Sequence, residues 1–182
     1  MAKQYDHINK RIQQFISQQK IFFVATATDK SRINLSPKGM DSFRVIDEKK
    51  VLWLNLTGSG NETAAHLGVD GRITIMFCAF EGAPMILRLY GKGKVINPND
   101  KQWPSVVDLF PKQAGTRQII DIDIEMVQTS CGMSIPYFDF KEERLQLDEW
   151  AQSKGEEGIK QYWKEKNEVS IDGIPTQIQE GY

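Results

Sequence analysis

The chain has 182 residues, of which 40% are apolar and 26% are charged, and its formal net charge is −1 at pH 7. This length fits one domain with an appendage, and the apolar content is too high for a disordered chain. A near-neutral charge provides no basic field for nucleic acid, and the apolar runs are too short for a membrane span. Because the first residues lack the apolar core of a signal peptide, we expect a cytoplasmic protein.

The first predicted element is an amphipathic helix within residues 5–19. Its apolar residues recur at the spacing of one helix face, and they are Ile8, Ile12, Phe15 and Ile16. We interpret this stripe as packing against a core. From Ile21 onward the pattern changes to runs of β-branched and aromatic residues that end at turn signals, as strands do.

Seven segments carry this strand pattern, and they span residues 21–28, 32–36, 41–46, 51–57, 72–80, 85–96 and 117–129. The apolar run at 72–80 indicates a strand buried on both faces, and Gly91 and Gly93 predict a bulge or bend in the next one. Two short helices are inserted, one from Thr63 to about Gly68 and one that ends at Phe110. Short strands without regular βαβ alternation favour an antiparallel barrel over a doubly wound sheet.

The composition changes after residue 140. Residues 144–166 are charged with scattered apolar positions, which predicts one or two helices broken around Gly155 to Gly158. The polar tail after Asn167 is predicted to be extended. We therefore place a barrel domain at residues 1–130 and a C-terminal extension of loop and helices at residues 131–182.

The most informative motif is the stretch from Thr57 to Thr63, TGSGNET, which lies between a predicted strand and a predicted helix. Ser59 and Glu62 have the spacing of a capping box, whose side chains satisfy the first free amides of a helix. Two glycines allow a ligand to approach closely, and helix amides with nearby hydroxyl groups favour an anion such as a phosphate. The same letters also fit a plain turn without any ligand.

Two basic residues are separate candidates for binding an anionic group. Lys38 follows Ser36 and Pro37 in a segment where proline predicts an edge strand or a bulge, and it is either a ligand contact or an ordinary loop lysine. Arg88 interrupts an apolar strand, on the opposite face from both of its neighbours. That face either meets solvent or holds a buried guanidinium that binds a carboxylate or phosphate.

Other catalytic chemistry has little support in the sequence. A cysteine nucleophile at Cys131 needs an adjacent base, but His7 and His66 both fall on helices, where we expect them at the surface. No cluster of residues has metal-ligand spacing. Cys78 and Cys131 form no CxxC pair and are expected to be reduced thiols, with Cys78 in the core.

The order of these segments resembles the pyridoxamine-phosphate-oxidase-like family of FMN-binding split β-barrels. The resemblance covers about residues 5–130, and it depends on the opening helix and on IFFVATAT, RINLSPKG, VLWLNLTGSGNETAAHL, RITIMFCAF and ILRLYGKGKV. The segment SCGMSIPYFDFKEERLQLDEW resembles a C-terminal extension of an uncharacterised bacterial branch. The implied fold is mainly β: a split barrel of six or seven antiparallel strands, with flanking helices and a helical C-terminal appendage.

The resemblance also implies a homodimer with FMN at the subunit interface. In the family, the strand that matches Arg32 to Lys38 runs along the flavin ring, and the loop that matches Thr57 to Thr63 holds the phosphate. The strand that contains Arg88 lies beside them. The candidate cofactor-binding residues are therefore Arg32, Ser36, Pro37, Lys38, Thr57, Gly58, Ser59, Asn61, Thr63 and Arg88.

The sequence departs from the oxidases proper at the start of the short helix. Their serine–arginine–lysine triplet corresponds to Asn61-Glu62-Thr63, so two positive charges are missing and one is replaced by a carboxylate. The arginine–leucine–histidine–x–arginine motif of the oxidases is not found near the C-terminus either. Because charge-assisted hydrogen bonds are stronger than neutral ones, we expect weaker FMN binding and no oxidation of pyridoxamine phosphate.

Three functions remain as alternatives. The first is an FMN-dependent oxidoreductase that acts on an unidentified small molecule, with a nicotinamide nucleotide as candidate electron donor and no catalytic side chain assigned. The second is a carrier or sensor that binds flavin, deazaflavin or haem without turnover. The third is a dimeric structural barrel with an empty site. We expect no nucleic-acid, membrane or metal partner.

Overall fold

The computed structural model describes residues 2–178 of the chain. This part contains eight strands and four α-helices. The strands are β1 (Lys3–Tyr5), β2 (Phe22–Thr26), β3 (Asn34–Lys38), β4 (Phe43–Val45), β5 (Lys50–Leu56), β6 (Arg72–Cys78), β7 (Ile86–Ile96) and β8 (Thr116–Ser130). The helices are α1 (Lys10–Gln18), α2 (Glu62–Val69), α3 (Trp103–Val107) and α4 (Gln146–Lys166).

All of these strands belong to one antiparallel sheet. Its order is β3-β2-β6-β7-β8-β5-β4, and β1 pairs with the C-terminal end of β8. No ladder in the described chain joins β3 to β4, so the curled sheet stays open between them. This architecture confirms the predicted mainly-β split barrel with flanking helices. The sequence does not predict β1, because Lys-Gln-Tyr carries no strand pattern.

The main core lies inside the curl of the sheet, where alternate strand residues point inward. It contains Val24, Trp53, Ile75, Leu89 and Ile122, and α1 covers it with Ile12 and Ile16. Full burial of each large apolar side chain stabilises the fold by about 1.5–3 kcal/mol. A second cluster, of Leu52, Leu54, Ile96, Phe110 and Ile119, buries the outer face of the same sheet near α3.

The longest strands, β7 and β8, shift register against each other between Tyr90 and Gly91. A Cβ atom added at Gly91 would lie 2.1 Å from the carbonyl oxygen of Asp123. Glycine is therefore required for the close approach of the two backbones at this bulge. The irregularity confirms the bend that the sequence predicts in this strand.

Gly91→Ala is expected to lower the free energy of unfolding by about 3 kcal/mol, because the added methyl group forces the backbones of β7 and β8 apart. Gly93→Ala is the matched control, since its nearest new neighbours are methyl groups of Leu67 at 3.1 and 3.2 Å, on a side chain that can turn aside. Urea unfolding of both variants measures the difference. Equal losses would contradict the backbone explanation.

Three local predictions have mixed outcomes. The break in the C-terminal helix is confirmed, because Gly155 in α4 has a φ of 67°. The double-sided burial of β6 is wrong: its residues alternate in exposure, because only the inner face meets the core cluster. The extended tail is also wrong as far as residue 178, because the chain turns back on itself there and Val169 pairs with Pro175 in an antiparallel bridge. The rest of that predicted tail, residues 179–182, lies outside the described residues.

Membrane insertion by a helix has no candidate in the structure. Within residues 2–178, none of the helices is both long enough and apolar enough to cross a bilayer.

Candidate functional site

A cavity of about 470 Å³ opens where β3, the end of β5 and the start of α2 meet. Its lining includes the loop from Thr57 to Thr63 and the segment from Ser36 to Gly39. Side chains from distant parts of the chain complete the wall, among them Asn34, Met40, Trp53, Asn55, Arg117, Leu147 and Ile171. Two segments that the sequence analysis selects separately therefore face one cavity.

Most of the candidate cofactor-binding residues line this cavity, namely Ser36, Pro37, Lys38, Thr57, Gly58, Ser59, Asn61 and Thr63. The other two, Arg32 and Arg88, are not part of its described lining. The side chain of Arg32 is 73% exposed and forms an ion pair with Asp172. Arg88 lies on β7 and donates from Nη1 to the hydroxyl of Ser130 at 3.2 Å.

β3 is an edge strand, as its proline predicts. In the described sheet it pairs only with β2, and Pro37 lies opposite Phe23. The side-chain amide of Asn34 donates to the hydroxyl of Thr26 at 3.2 Å and to that of Thr63 at 3.1 Å. These bonds fix β3 against the first turn of α2, so the position of the Lys38 strand is coupled to that of the glycine loop.

The predicted capping box is wrong. α2 begins at Glu62 with Asn61 as its N-cap residue, and the Asn61 side chain makes no capping hydrogen bond. That side chain instead accepts from Asn55 at 3.3 Å and donates to Gln118 at 3.0 Å. The Glu62 carboxylate accepts from the backbone N–H of Ile171 at 3.2 Å. Asn61 and Glu62 thus form hydrogen bonds with distant residues in place of the predicted capping hydrogen bonds.

Lys38 brings a positive charge to the cavity. Its Nζ lies 5.1 Å from the centre of the Trp53 ring, within the range of a cation–π contact. Burial, with a smaller effect from the positive charge of Arg117, lowers the pKa of Lys38 to about 8. In the described chain no carboxylate stabilises its charged form. Lys38 is therefore mostly protonated at neutral pH and can meet an anionic ligand.

Arg117, at the start of β8, is a second cation in the lining and is missed by the sequence analysis. It is 3% exposed. Its Nη1 donates to the carbonyl of Gly60 at 3.0 Å and to Oδ1 of Asn167 at 2.7 Å, and its Nη2 donates to Oδ1 of Asn55 at 3.1 Å. Its Nε has no acceptor among the described residues. Burial lowers the pKa of Arg117 to about 9, so the guanidinium is still protonated at neutral pH.

One signal in the sequence does point to Arg117. Arg117 is the single basic residue on its face of the last predicted strand, which also carries Ile119, Asp121, Asp123 and Glu125. The acidic residues nevertheless indicate that this face of the strand is exposed to solvent. Arg117 is buried because partners 57 and 50 residues away, Gly60 and Asn167, enclose it.

The segment of residues 163–172, which we call the C-terminal clamp, holds the glycine loop. The indole N–H of Trp163 donates to Oγ1 of Thr57 at 2.9 Å. The side-chain amide of Asn167 donates to the carbonyl of Gly58 at 3.1 Å. The end of the predicted C-terminal helix, together with the residue that follows it, therefore fixes two residues of the candidate site.

His66 is buried, although the sequence analysis places it at the surface. It is 1% exposed, and its Nδ1 lies 3.0 Å from Oγ1 of Thr26, whereas Nε2 has no partner within residues 2–178. The reason is that α2 packs against β2, β6 and β7 and buries nearly its whole first half. His66 therefore supports the helix and does not line the cavity.

The cysteines also lie away from the cavity. Cys78 is buried in β6, as predicted, and Cys131 is exposed after β8. Across residues 2–178, no three histidine, cysteine or acidic residues are grouped closely enough to hold a metal ion.

A larger groove, of about 1410 Å³, adjoins the cavity. Both are lined by Pro37, Lys38, Gly39, Met40 and Leu147. The groove also carries the aromatic rings of Phe80, Phe138 and Phe140, the first two in edge contact at 5.5 Å. The C-terminal extension therefore contributes to both spaces, with Leu147 at their common boundary.

An open antiparallel barrel with a cationic cavity at the start of a short helix defines the class of split barrels that resemble pyridoxamine phosphate oxidase. Residues 8–131 match the family described as pyridoxamine 5'-phosphate oxidase. The pyridoxamine 5'-phosphate oxidase family protein ustO of Aspergillus flavus is 35% identical over 191 residues, which cover 94% of this chain and 76% of ustO. The chain therefore belongs to the pyridoxamine 5'-phosphate oxidase family.

Solved structures show the same fold. A variant of HupZ from Group A Streptococcus has a TM-score of 0.55 and 20% identity, over 68% of this chain and 99% of that one. A FAD-binding protein from Mesorhizobium loti has a TM-score of 0.50 and 10% identity, over 71% of this chain and 97% of that one. At these identities the similarity supports the split-barrel fold alone.

Proposed function

We propose that this protein binds FMN in the cavity of about 470 Å³ and acts as an oxidoreductase on a small molecule. The observation that carries the proposal is that the glycine loop, the segment from Ser36 to Lys38 and two cations without carboxylate partners meet around one cavity. Membership of the pyridoxamine 5'-phosphate oxidase family supports the same cofactor class.

The donors of the cavity suit the phosphate end of FMN. The start of α2 offers main-chain amides, which favour an anion, and Ser59 and Thr63 offer hydroxyl groups. The unsatisfied Nε of Arg117 is a buried donor that a phosphate oxygen would satisfy. Glu62 is the one carboxylate in the described lining, and the backbone of Ile171 binds it. The donor set therefore fits an anionic group despite Glu62.

The remaining walls suit the flavin ring and its substrate. Trp53, Met40 and Leu147 supply apolar surface that would exclude water from the ring. The bound flavin would supply the hydride or electron transfer, and the protein would supply position and polarity. We assign the adjoining groove with Phe138 and Phe140 to the substrate and to a nicotinamide electron donor, because it shares a wall with the cofactor cavity.

The assembly and the division of the chain belong to the same proposal. Leu35 in the open edge strand β3 is 64% exposed, and Ile33 directly before this strand is 80% exposed. An apolar edge is an aggregation hazard unless something covers it, and we propose that a second copy does so in a homodimer. We also propose that residues 1–130 form the barrel and residues 131–182 the extension that completes the site.

The purified protein is expected to bind added FMN saturably, with one FMN for each chain, and to accept electrons from NADH or NADPH when oxygen is excluded. Fluorescence titration measures the binding, and flavin absorbance measures the reduction. Mass spectrometry of any cofactor released on denaturation distinguishes FMN from deazaflavin or haem. A protein that never saturates with FMN would contradict the cofactor assignment.

The second candidate function is a carrier that holds the cofactor without turnover. One observation favours it: the described lining of the cavity holds neither histidine nor cysteine, and its one carboxylate, on Glu62, already accepts a hydrogen bond from the backbone N–H of Ile171. Saturable FMN binding without reduction by either nucleotide would favour the carrier over the oxidoreductase.

A further inference from the structure

We propose that Arg117 is a direct charge partner of the cofactor phosphate, and that it makes the site select a phosphorylated flavin over riboflavin. The inference rests on the proposed FMN site and deepens it. It assigns a phosphate-binding charge to the start of β8, whereas α2 itself begins with an acidic residue, Glu62. Three features of Arg117 carry it: its burial, its neutral partners and its unused donors.

The burial of Arg117 is not compensated by charge. Its acceptors are one backbone carbonyl, on Gly60, and two amide oxygens, on Asn55 and Asn167. A charged group held away from water destabilises a fold unless it is paired as well as hydrogen-bonded. No carboxylate in the described chain forms an ion pair with Arg117, so an anionic ligand is the partner that this site lacks.

Arg117 has N–H donors that no described residue uses. A guanidinium carries five N–H donors. The three hydrogen bonds use both donors of Nη1 and one of Nη2, which leaves Nε and the second donor of Nη2. These two atoms share one edge of the planar group. Such an edge binds two oxygens of a phosphate in the bidentate manner that favours arginine over lysine.

The surroundings of Arg117 place its guanidinium at the wall of the cavity. The bond from Nη1 to Gly60 holds the guanidinium against the glycine loop, and the bond to Asn167 holds it against the C-terminal clamp. Lys38 lines the same cavity, and the like charge of Arg117 makes the protonated form of Lys38 less favourable. An anion between the two cations would relieve this repulsion.

The competing explanation is that Arg117 only braces the loop. Arg117→Met then weakens FMN and riboflavin equally, because both ligands need an ordered cavity. If Arg117 binds the phosphate, the substitution weakens FMN by about 10- to 100-fold, as expected for a hydrogen-bonded charge pair, and leaves riboflavin binding unchanged. The ratio of the two dissociation constants separates the explanations, and equal weakening would overturn the inference.

Two further variants keep the experiment decisive. Arg117→Lys retains the charge without the planar edge, so we expect an intermediate loss of FMN affinity and an unchanged affinity for riboflavin. If Arg117→Met does not fold, the comparison of FMN and riboflavin affinities is made with Arg117→Lys. Arg44→Met is the matched control, because Arg44 lies on β4 outside the cavity lining and donates to Asp41 and Leu109. A loss of FMN selectivity in Arg44→Met would overturn the assignment.

Inorganic phosphate tests the anion site separately from the flavin. Phosphate is expected to raise the melting temperature of the wild-type protein most, that of Arg117→Lys less and that of Arg117→Met not at all, because a ligand stabilises a fold only to the extent that it binds it. If FMN fails to bind but this difference holds, the proposed function is wrong and the phosphate site stands. If FMN binds and phosphate stabilises all the proteins equally, the proposed function stands and the role of Arg117 is wrong.

Discussion

Trp163→Ala is expected to weaken FMN binding by at least about tenfold, because the glycine loop then spends most of its time in conformations that cannot hold the phosphate. Trp163 is 6% exposed and lies 2.9 Å from Oγ1 of Thr57 through its indole nitrogen. Truncating a buried tryptophan costs about 3–5 kcal/mol. Because Thr57 also donates to the carbonyl of Gly115 at 2.7 Å, the loss spreads to the start of β8.

Trp150→Ala is the matched control for this substitution. Trp150 lies in the same helix and packs on Tyr162 with ring centres 5.0 Å apart, and no hydrogen bond in the described structure joins it to the glycine loop. We expect it to retain FMN affinity. Trp163→Phe, which keeps the ring and loses the N–H, should fall between the two. Fluorescence titration gives the affinities, and hydrogen exchange of the loop amides reports its order. Equal effects of both alanine variants would contradict a specific role of the clamp.

FMN affinity is expected to fall by about 10- to 100-fold as the pH rises through and above about 8, because Lys38 loses the proton that attracts the phosphate. The direction follows from the depressed pKa of Lys38. Below that pKa the ammonium form predominates and the phosphate is attracted, whereas above it the amine is neutral. Since the phosphate itself loses its second proton near pH 6, its charge is constant over the range that matters.

Lys38→Arg isolates this effect, because an arginine at position 38 keeps its proton at pH values where a lysine with a pKa of about 8 has lost it. Fluorescence titrations from pH 7 to 9.5 should show a decline for the wild type that begins near pH 8, and a later decline for Lys38→Arg that begins only near the pKa of Arg117, about 9. The ligand-free wild type should also gain stability between about pH 8 and 10.5, where the unfolded chain binds more protons than the folded one. A parallel decline in both proteins would remove Lys38 from the site.

Strand patterns predict the barrel well because they reflect local geometry. In β8, Ile122 and Ile124 are buried while Asp123 and Glu125 are exposed, as alternation requires. The pattern fails nearer the start of the strand, where Asp121 is 6% exposed and pairs with Lys50 at 2.8 Å. There the second apolar cluster covers the outer face of the sheet, so the face that the pattern predicts to be solvent-exposed is buried.

The candidate site is predictable only where its residues are consecutive. The TGSGNET loop and the segment from Ser36 to Lys38 reach one cavity, as the family resemblance implies. The predicted capping box is absent although the spacing of Ser59 and Glu62 is right, since Asn61 and Glu62 form hydrogen bonds with distant residues instead. The prediction that His66 is exposed is wrong for the same reason, because the packing of α2 against the sheet decides which face of the helix is buried.

The sequence by itself determines the split barrel, the glycine loop and the family, because side-chain alternation, turn residues and motif order are properties of neighbouring positions. Only the tertiary structure decides that Arg117 is buried behind the loop and that Trp163 holds it, across a separation of 106 residues from Thr57. Burial and charge at this site depend on which distant segments fold against each other, and no local pattern encodes that choice.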